Sequence, residues 1–194
     1  MLLGKIPTFQ CHVSKVVTKC TGMLIALNHA KHVIPHTTLK RLVSALVFAT
    51  MRYCMLVYGI CGQTQKQRIQ KLVNLAARVL SGRRRHEHVA DVIRQAGWLG
   101  ADQLVEYHRI MAVHRLMVHQ LPVPLVRTIG PPAAQLHQHN TRGADRRVVP
   151  WIRTEAGRRR LDYSGVMSYN TMCDQLGGKV NKIIVKKHVK TFQT

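Results

Sequence analysis

Acidic residues are scarce in this chain. Its 194 residues include 8 Asp and Glu against 30 Lys and Arg, a formal net charge of +22 at pH 7. Catalysis by two metal ions or by paired acids needs carboxylates that can meet. Two pairs at i, i+4 spacing, Glu87/Asp91 and Asp102/Glu106, lie beside basic residues and are typical of an exposed helix surface. We therefore expect no catalytic residues and a protein that is not an enzyme.

Aromatic residues, paired cysteines and phosphate-binding glycine loops are also few or missing. Aromatics make up 5% of the chain, which leaves few rings for base stacking. The five cysteines show no framework of paired spacings and no secretory leader precedes them, so reduced thiols in an intracellular setting, cytoplasmic or nuclear, are expected. Cys11 and Cys20, with His29 and His32 nearby, are too widely spaced for a zinc finger. We expect no metal and no cofactor.

Positive charge is what the chain has in abundance. Such a chain repels itself and is expected to bind a polyanion, either RNA or DNA or an anionic membrane surface. The most apolar stretch, residues 42–61, has Arg52 at its middle, where insertion into a bilayer costs about 2.5–3.5 kcal/mol. We predict a buried bundle helix there and no membrane span.

Apolar residues at helical spacing predict a mainly α fold, a compact bundle of about five helices. The predicted helices cover residues 13–32, 37–60, 64–81, 86–96 and 101–121. We predict an unassigned lead at 1–10, the helical bundle at 11–126, an irregular basic Pro/Arg-rich arm at 127–162, and a short C-terminal element at 163–194, with a helix around 166–176 and a Lys-rich tail.

Two apolar stripes define the predicted cores of the first two helices. The stripe of the first helix is Val13, Val16, Val17, Cys20, Leu24 and Leu27. That of the second is Leu39, Leu42, Val43, Leu46, Thr50, Tyr53 and Val57. Both follow the i, i+3, i+4 spacing of a helix face that packs on a neighbour.

The third helix has a core face and a polar face. Its core face is Ile69, Leu72, Val73, Ala76 and Leu80, and its polar face is Gln67, Lys71, Asn74 and Arg78. Thr64 and Gln67 have capping-box spacing, and Gly82 suits a left-handed C-cap. Arg83, Arg84 and Arg85 follow. Cations near the C-terminus of a helix interact favourably with the negative end of its dipole, so these arginines could form a solvated helix cap instead of a binding site.

The charge and these patterns predict two sets of residues that contact nucleic-acid phosphates. The first set is Lys71, Asn74, Arg78, Arg83, Arg84 and Arg85. The second, expected to be a mobile contact in the arm, is Arg146, Arg147, Arg158, Arg159 and Arg160. Phosphate contact is favoured over base reading because aromatic residues are few.

An ordered series of short motifs resembles the region C-terminal to the polymerase core in non-LTR retrotransposon reverse transcriptases. The series is Pro35, RYCMLVYG at 52–59, RIQKLVNLAAR at 68–78, Gly82-Arg83-Arg84, His88-Val89, Gly97-Trp98-Leu99, Pro150, Arg153-Thr154, Gly157-Arg158-Arg159 and Tyr169-Asn170. The resemblance covers roughly residues 11–172. Tyr58 and Tyr169 stand where tryptophan is usual in the family, and Thr171-Met172-Cys173 replaces its Leu-Pro.

This resemblance implies a thumb-like helical region that in the family helps to hold template and primer. The palm with its metal-binding aspartates and the endonuclease would lie outside this chain, which would make it a non-catalytic fragment or truncated copy, with the missing palm as a further partner. Two alternatives stay open: translated transposon debris with no selected activity, and a basic membrane-surface protein using residues 37–61.

Overall fold

The computed structural model describes residues 9–120, 122–135 and 146–176, and these are mainly α-helical, as predicted. The α-helices are α1 (Gln10–Ala30), α2 (His36–Leu42), α3 (Ala49–Arg52), α4 (Met55–Tyr58), α5 (Gln63–Ser81), α6 (Ala90–Gln95), α7 (Ala101–His119), α8 (Val123–Thr128), α9 (Glu155–Arg158) and α10 (Val166–Leu176). Wider π-helical turns occupy Val43–Phe48 and Leu161–Gly165, and a 3₁₀ turn occupies Ala133–Gln135. The described residues contain no strand, only an isolated bridge between Pro132 and Arg147.

The chain divides into two compact units, Met1–Leu104 and Val105–Phe192, with the boundary inside α7. Of the regions predicted from sequence, residues 1–8 of the lead, 136–145 of the arm and the Lys-rich tail from 177 lie outside the described residues.

The core of the first unit is built mainly by α1 and α5. The predicted stripe of α1 is buried except for Val17, which is half-buried, and every residue of the predicted core face of α5 is buried. The guanidinium of Arg68 donates to Ser14 Oγ over 3.0 Å, which ties the early turns of α5 to those of α1. The helical periodicity of both segments was therefore a correct guide to packing.

The single helix predicted over 37–60 is wrong. Tyr53 has extended backbone and Cys54 is left-handed, with φ of 54°, so the helix is interrupted between α3 and α4. The π-helical turn at Val43–Phe48 also shifts the buried face by one residue, from Leu46 and Thr50 to Val47 and Met51.

This shift exposes part of the predicted core stripe. Leu46, Tyr53 and Val57 are 44%, 73% and 56% exposed. Met55 and Tyr58 are buried in their place, and the Tyr58 hydroxyl donates to the carbonyl of Met51 across the break. Regular 3.6-residue spacing fails here because the backbone is not a regular α-helix.

The ends of α5 and α6 agree only in part with the predicted caps. The capping box at Thr64 and Gln67 is wrong, because Gly62 is the N-cap and no side chain caps the helix. Gly82 does adopt the left-handed conformation, with φ of 72°, and its N–H donates to Arg78 O over 2.8 Å. After α6, which is shorter than predicted, Gly97 has φ of 68° and Trp98 N–H donates to Ile93 O, a Schellman-type end.

In the second unit, α10 anchors the basic segment that begins at Arg146. The helix has the predicted bounds, and it buries Val166, Tyr169, Met172 and Cys173. The side-chain amide of Asn170 accepts from Arg147 N–H over 2.9 Å and donates to Arg147 O over 2.8 Å. Asn170 thus pairs with the backbone of Arg147 as a neighbouring strand would.

Candidate nucleic-acid interface

A cationic groove lies between the C-terminal halves of α1 and α5 in the first unit. Its volume is about 680 Å³. The polar and charged residues that line it are Asn28, Lys31, Lys71, Asn74, Arg78, Arg83 and Arg85, and its apolar lining is Leu24, Ile25, Leu75 and Val79. None of the described residues that line it is Asp or Glu. A cleft lined by charge of one sign concentrates the electric field and attracts ions of opposite sign.

Five of the six residues predicted as the first contact set line this groove. Lys71, Asn74 and Arg78 project from successive turns of α5, while Arg83 and Arg85 follow the Gly82 cap. Gly82, in the left-handed conformation, ends α5 and itself lines the groove. Arg84, the sixth, is exposed but is not part of the groove lining.

The cations of the groove differ in how far they are already neutralised. Within the part of the chain that the structure describes, the side chains of Lys31, Lys71 and Arg85 form no hydrogen bond or ion pair. Lys71 and Arg85 are exposed and Lys31 is half-buried. These three side chains are therefore the ones available to bind an anion.

Arg83, by contrast, forms an ion pair with a carboxylate. Its guanidinium binds both oxygens of Asp91 at 2.5 Å and also donates to the carbonyl of His88. The hydrogen bond from Arg83 holds the pKa of the Asp91 carboxyl below its ordinary value, and the same bond raises the pKa of Arg83. Arg83 therefore adds less positive charge to the groove than its position suggests.

Arg78 organises the loop that follows α5. Its Nε donates to Arg84 O over 3.3 Å and its Nη2 donates to Glu87 O over 3.4 Å. Arg78 thus holds residues 84–87 against the end of the helix, and we assign it a positioning role as well as a place in the lining.

Asn74 is oriented by its own helix. Gln70 Nε2 donates to Asn74 Oδ1 over 2.9 Å, and Gln70 Oε1 accepts from Ala101 N–H over 2.8 Å. The Asn74 oxygen accepts this bond, and the amide nitrogen of Asn74 carries two N–H donors. A phosphate oxygen accepts from such donors.

The structure adds Asn28 and Lys31 to the residues predicted from sequence. Asn28 lies in the last turn of α1, after the buried Leu27, and Lys31 is the C-cap of that helix. Their i, i+3 spacing marks one helix face, but nothing local in the sequence indicates that this face lies next to α5. They become part of the groove only through tertiary packing.

The second predicted set lies in the other unit and is largely neutralised. Arg146 pairs with Asp174 at 2.6 Å, Arg159 with Glu155 at 3.4 Å, and Arg160 with Asp162 at 2.8 Å. Arg147 Nε contacts Met117 Sδ at 3.0 Å and Arg158 Nε donates to Ile152 O over 3.4 Å. Only Arg147 and Arg158 of this set lack a carboxylate partner among the described residues.

Several residues of the family-like motifs hold the fold together. Trp98 is buried, its ring lies 4.8 Å from that of Phe48, and its Nε1 donates to Ser44 Oγ over 3.1 Å. Gly157 is packed so closely that an added Cβ would lie 2.3 Å from Ile152 Cγ2. Trp98, Gly157, Tyr58 and Asn170 of the motif series therefore have structural roles in packing or hydrogen bonding.

In each of the two i, i+4 carboxylate pairs, one member forms an ion pair with a single cation. Asp91 binds Arg83, and Asp102 binds Lys66 at 3.1 Å. Over residues 9–120, 122–135 and 146–176, no three His, Cys, Asp or Glu side chains form a group that could hold a metal ion.

Comparisons of the chain with protein-family models, with curated proteins and with solved structures found no match. Within the described residues, no helix has both the length and the apolar character needed to cross a bilayer.

Proposed function

We propose that this chain binds the phosphate backbone of nucleic acid, RNA or DNA, through the groove between α1 and α5. The observation that carries this proposal is the arrangement of Lys31, Lys71 and Arg85, three cations without a described partner, around a groove whose described lining contains no acid. Phosphates bind to Lys and Arg largely through charge, with release of condensed counterions.

The apolar lining fits the same ligand class. Its accessible members are Ile25, which is 53% exposed, and Leu75, which is half-buried, so a bound strand would place phosphates against the cations and sugar carbons against these side chains. Ligand sites commonly combine an apolar wall with a few placed polar groups. The groove has no aromatic lining residue in the described chain, which supports backbone contact over base stacking there.

We further propose that the chain is a non-catalytic remnant of a non-LTR retrotransposon reverse transcriptase. The support is the ordered motif series from Pro35 to Asn170 in the sequence. The test is to translate the genomic sequence upstream of Met1 in the same frame. An intact palm with an Asp-Asp hairpin would make the chain a fragment of such an enzyme, whereas its absence would favour a truncated copy or an independent gene.

Backbone binding is tested by titrating the purified chain with labelled duplex DNA at several salt concentrations. If Z phosphates are engaged, log K falls linearly with log salt with a slope of about −0.9Z. Absence of binding at 50 mM salt, or an affinity that salt leaves unchanged, would contradict the proposal.

One observation favours a second reading, translated transposon debris with no selected activity. Leu46, Tyr53 and Val57 are exposed apolar side chains, which the palm of a parent polyprotein would cover and which promote association in an isolated chain. Size-exclusion chromatography distinguishes the two readings. A soluble monomer that unfolds cooperatively supports the binding proposal, and aggregation of the freshly purified chain supports debris.

A further inference from the structure

The second unit displays a large aromatic side chain that backbone binding does not use. Trp151 is 86% exposed, whereas the other tryptophan of the chain, Trp98, is 4% exposed. Tryptophan is among the residues that contribute most to binding interfaces, because its rigid ring offers much contact area at little entropic cost. An indole held in solvent is therefore a candidate contact for a ligand with a flat face.

The loop that carries Trp151 is fixed on its C-terminal side. The carbonyl of Ile152 accepts from Arg158 Nε, and the Ile152 side chain packs against Gly157 with no room for a Cβ. Thr154 caps α9 by accepting from Gly157 N–H over 3.2 Å.

The N-terminal side of this loop is fixed too. Val148 N–H donates to Pro131 O over 3.0 Å, and Asn170 pairs with both backbone groups of Arg147. With both flanks held, the ring is presented by an ordered loop, and little conformational entropy is lost when a ligand binds it.

The charges next to Trp151 are positive. Arg153 is exposed and forms no hydrogen bond or ion pair within the described residues, and Arg158 uses only its Nε, on a carbonyl. The acids of this segment are taken by other arginines: Glu155 by Arg159 and Asp162 by Arg160. An aromatic ring in the same segment as two arginines without a carboxylate partner is complementary to a ligand that alternates flat rings with negative charges.

We propose that Trp151 stacks on a base of single-stranded nucleic acid while Arg153 and Arg158 contact the flanking phosphates. A duplex does not satisfy this surface, because its base faces are covered by their neighbours, whereas a single strand exposes them. This inference rests on the proposed nucleic-acid binding and adds a base contact and a preference for single strands.

The test uses the full chain and two ligands of equal length, an oligo-dT strand of about 16 nucleotides and a DNA duplex. Stacking on Trp151 is expected to quench the exposed fraction of the tryptophan fluorescence with the single strand only. Trp151→Ala is expected to weaken single-strand binding about 5- to 150-fold and to leave duplex binding unchanged. Trp151→Phe keeps a ring and is expected to retain part of the affinity.

Tyr53→Ala is the matched control, since it removes an exposed ring in the other unit and should leave both affinities unchanged. Equal single-strand affinity of Trp151→Ala and wild type would overturn the stacking proposal and leave backbone binding intact. Failure of the wild type to bind either ligand would overturn both proposals. A fluorescence change with vesicles of anionic lipid but not with oligo-dT would assign Trp151 to a membrane surface instead. The wild-type quenching measurement needs no variant, so it decides even if Trp151→Ala folds poorly.

Discussion

Replacing Asp91 by Asn should strengthen nucleic-acid binding. In the wild type, Arg83 lines the groove but is held by both oxygens of Asp91, so much of its charge is neutralised locally. Asp91→Asn keeps the size of the side chain and removes the charge. The freed guanidinium then becomes available to a phosphate in the groove beside Lys71 and Arg85.

The expected magnitude follows from counterion release. One additional phosphate contact on duplex DNA steepens the salt dependence of log K by about 0.9. Between 50 and 200 mM salt, Asp91→Asn should therefore lose about 3.5-fold more affinity than the wild type does, starting from tighter binding at low salt. Fluorescence anisotropy with a labelled duplex measures both affinities under identical conditions.

Asp102→Asn supplies the matched control for this experiment. It removes the same charge from the same unit, but it frees Lys66, which does not line the groove. The slope of Asp102→Asn should equal that of the wild type. If the two variants steepen the slope equally, or neither does, then Arg83 and the groove are not where the phosphates bind.

Three further predictions concern stability. Because the pKa of Asp91 is lowered in the folded state, its pair with Arg83 stabilises the fold at pH values above 3.8, the ordinary pKa of the carboxyl, and this stabilisation is lost as the pH falls from there through the lowered pKa. Urea unfolding from about pH 6 to about pH 3 should show the wild type losing its advantage in stability over Asp91→Asn. An advantage that persists in acid would contradict the pairing. Asn170→Ala removes both bonds to the Arg147 backbone and should lower the free energy of unfolding by about 1–3 kcal/mol, so an unchanged denaturation midpoint would show that the pairing contributes nothing. Gly157→Ala places a Cβ against Ile152 and should cost about 1–3 kcal/mol, measured by thermal unfolding, with a wild-type melting temperature as the contrary result.

The sequence predicted best where helices are regular and locally capped. The core face of α5, its Gly82 C-cap and the bounds of α10 follow from spacing and from residue type alone, since an α-helix with 3.6 residues per turn fixes which side chains share a face. The prediction of a core through Leu46, Tyr53 and Val57 was wrong because a π-helical turn and a left-handed Cys54 change the register, and composition carries no clear signal of either.

Only the part of the candidate groove contributed by α5 and the arginines that follow it could be predicted from the sequence. Lys71, Asn74 and Arg78 share a helix face by their spacing, so their convergence could be expected from the sequence. The contributions of Asn28 and Lys31 depend on how α1 packs beside α5, which is set by tertiary contacts. The pairing of Arg83 with Asp91 also needed the structure, because the two residues are eight positions apart across irregular chain and the start of α6.

The most direct test of the central claim compares two triple variants of equal charge in a salt titration on duplex DNA. Lys31→Gln/Lys71→Gln/Arg85→Gln removes the groove cations that have no partner among the described residues. Lys15→Gln/Lys19→Gln/Arg41→Gln removes three exposed cations of the same unit that do not line the groove. If the groove binds the backbone, the first variant should flatten the slope of log K against log salt by up to about 2.7 and the second should leave it near the wild-type value. Equal losses in both variants would show that binding follows net charge alone and would contradict a site in the groove.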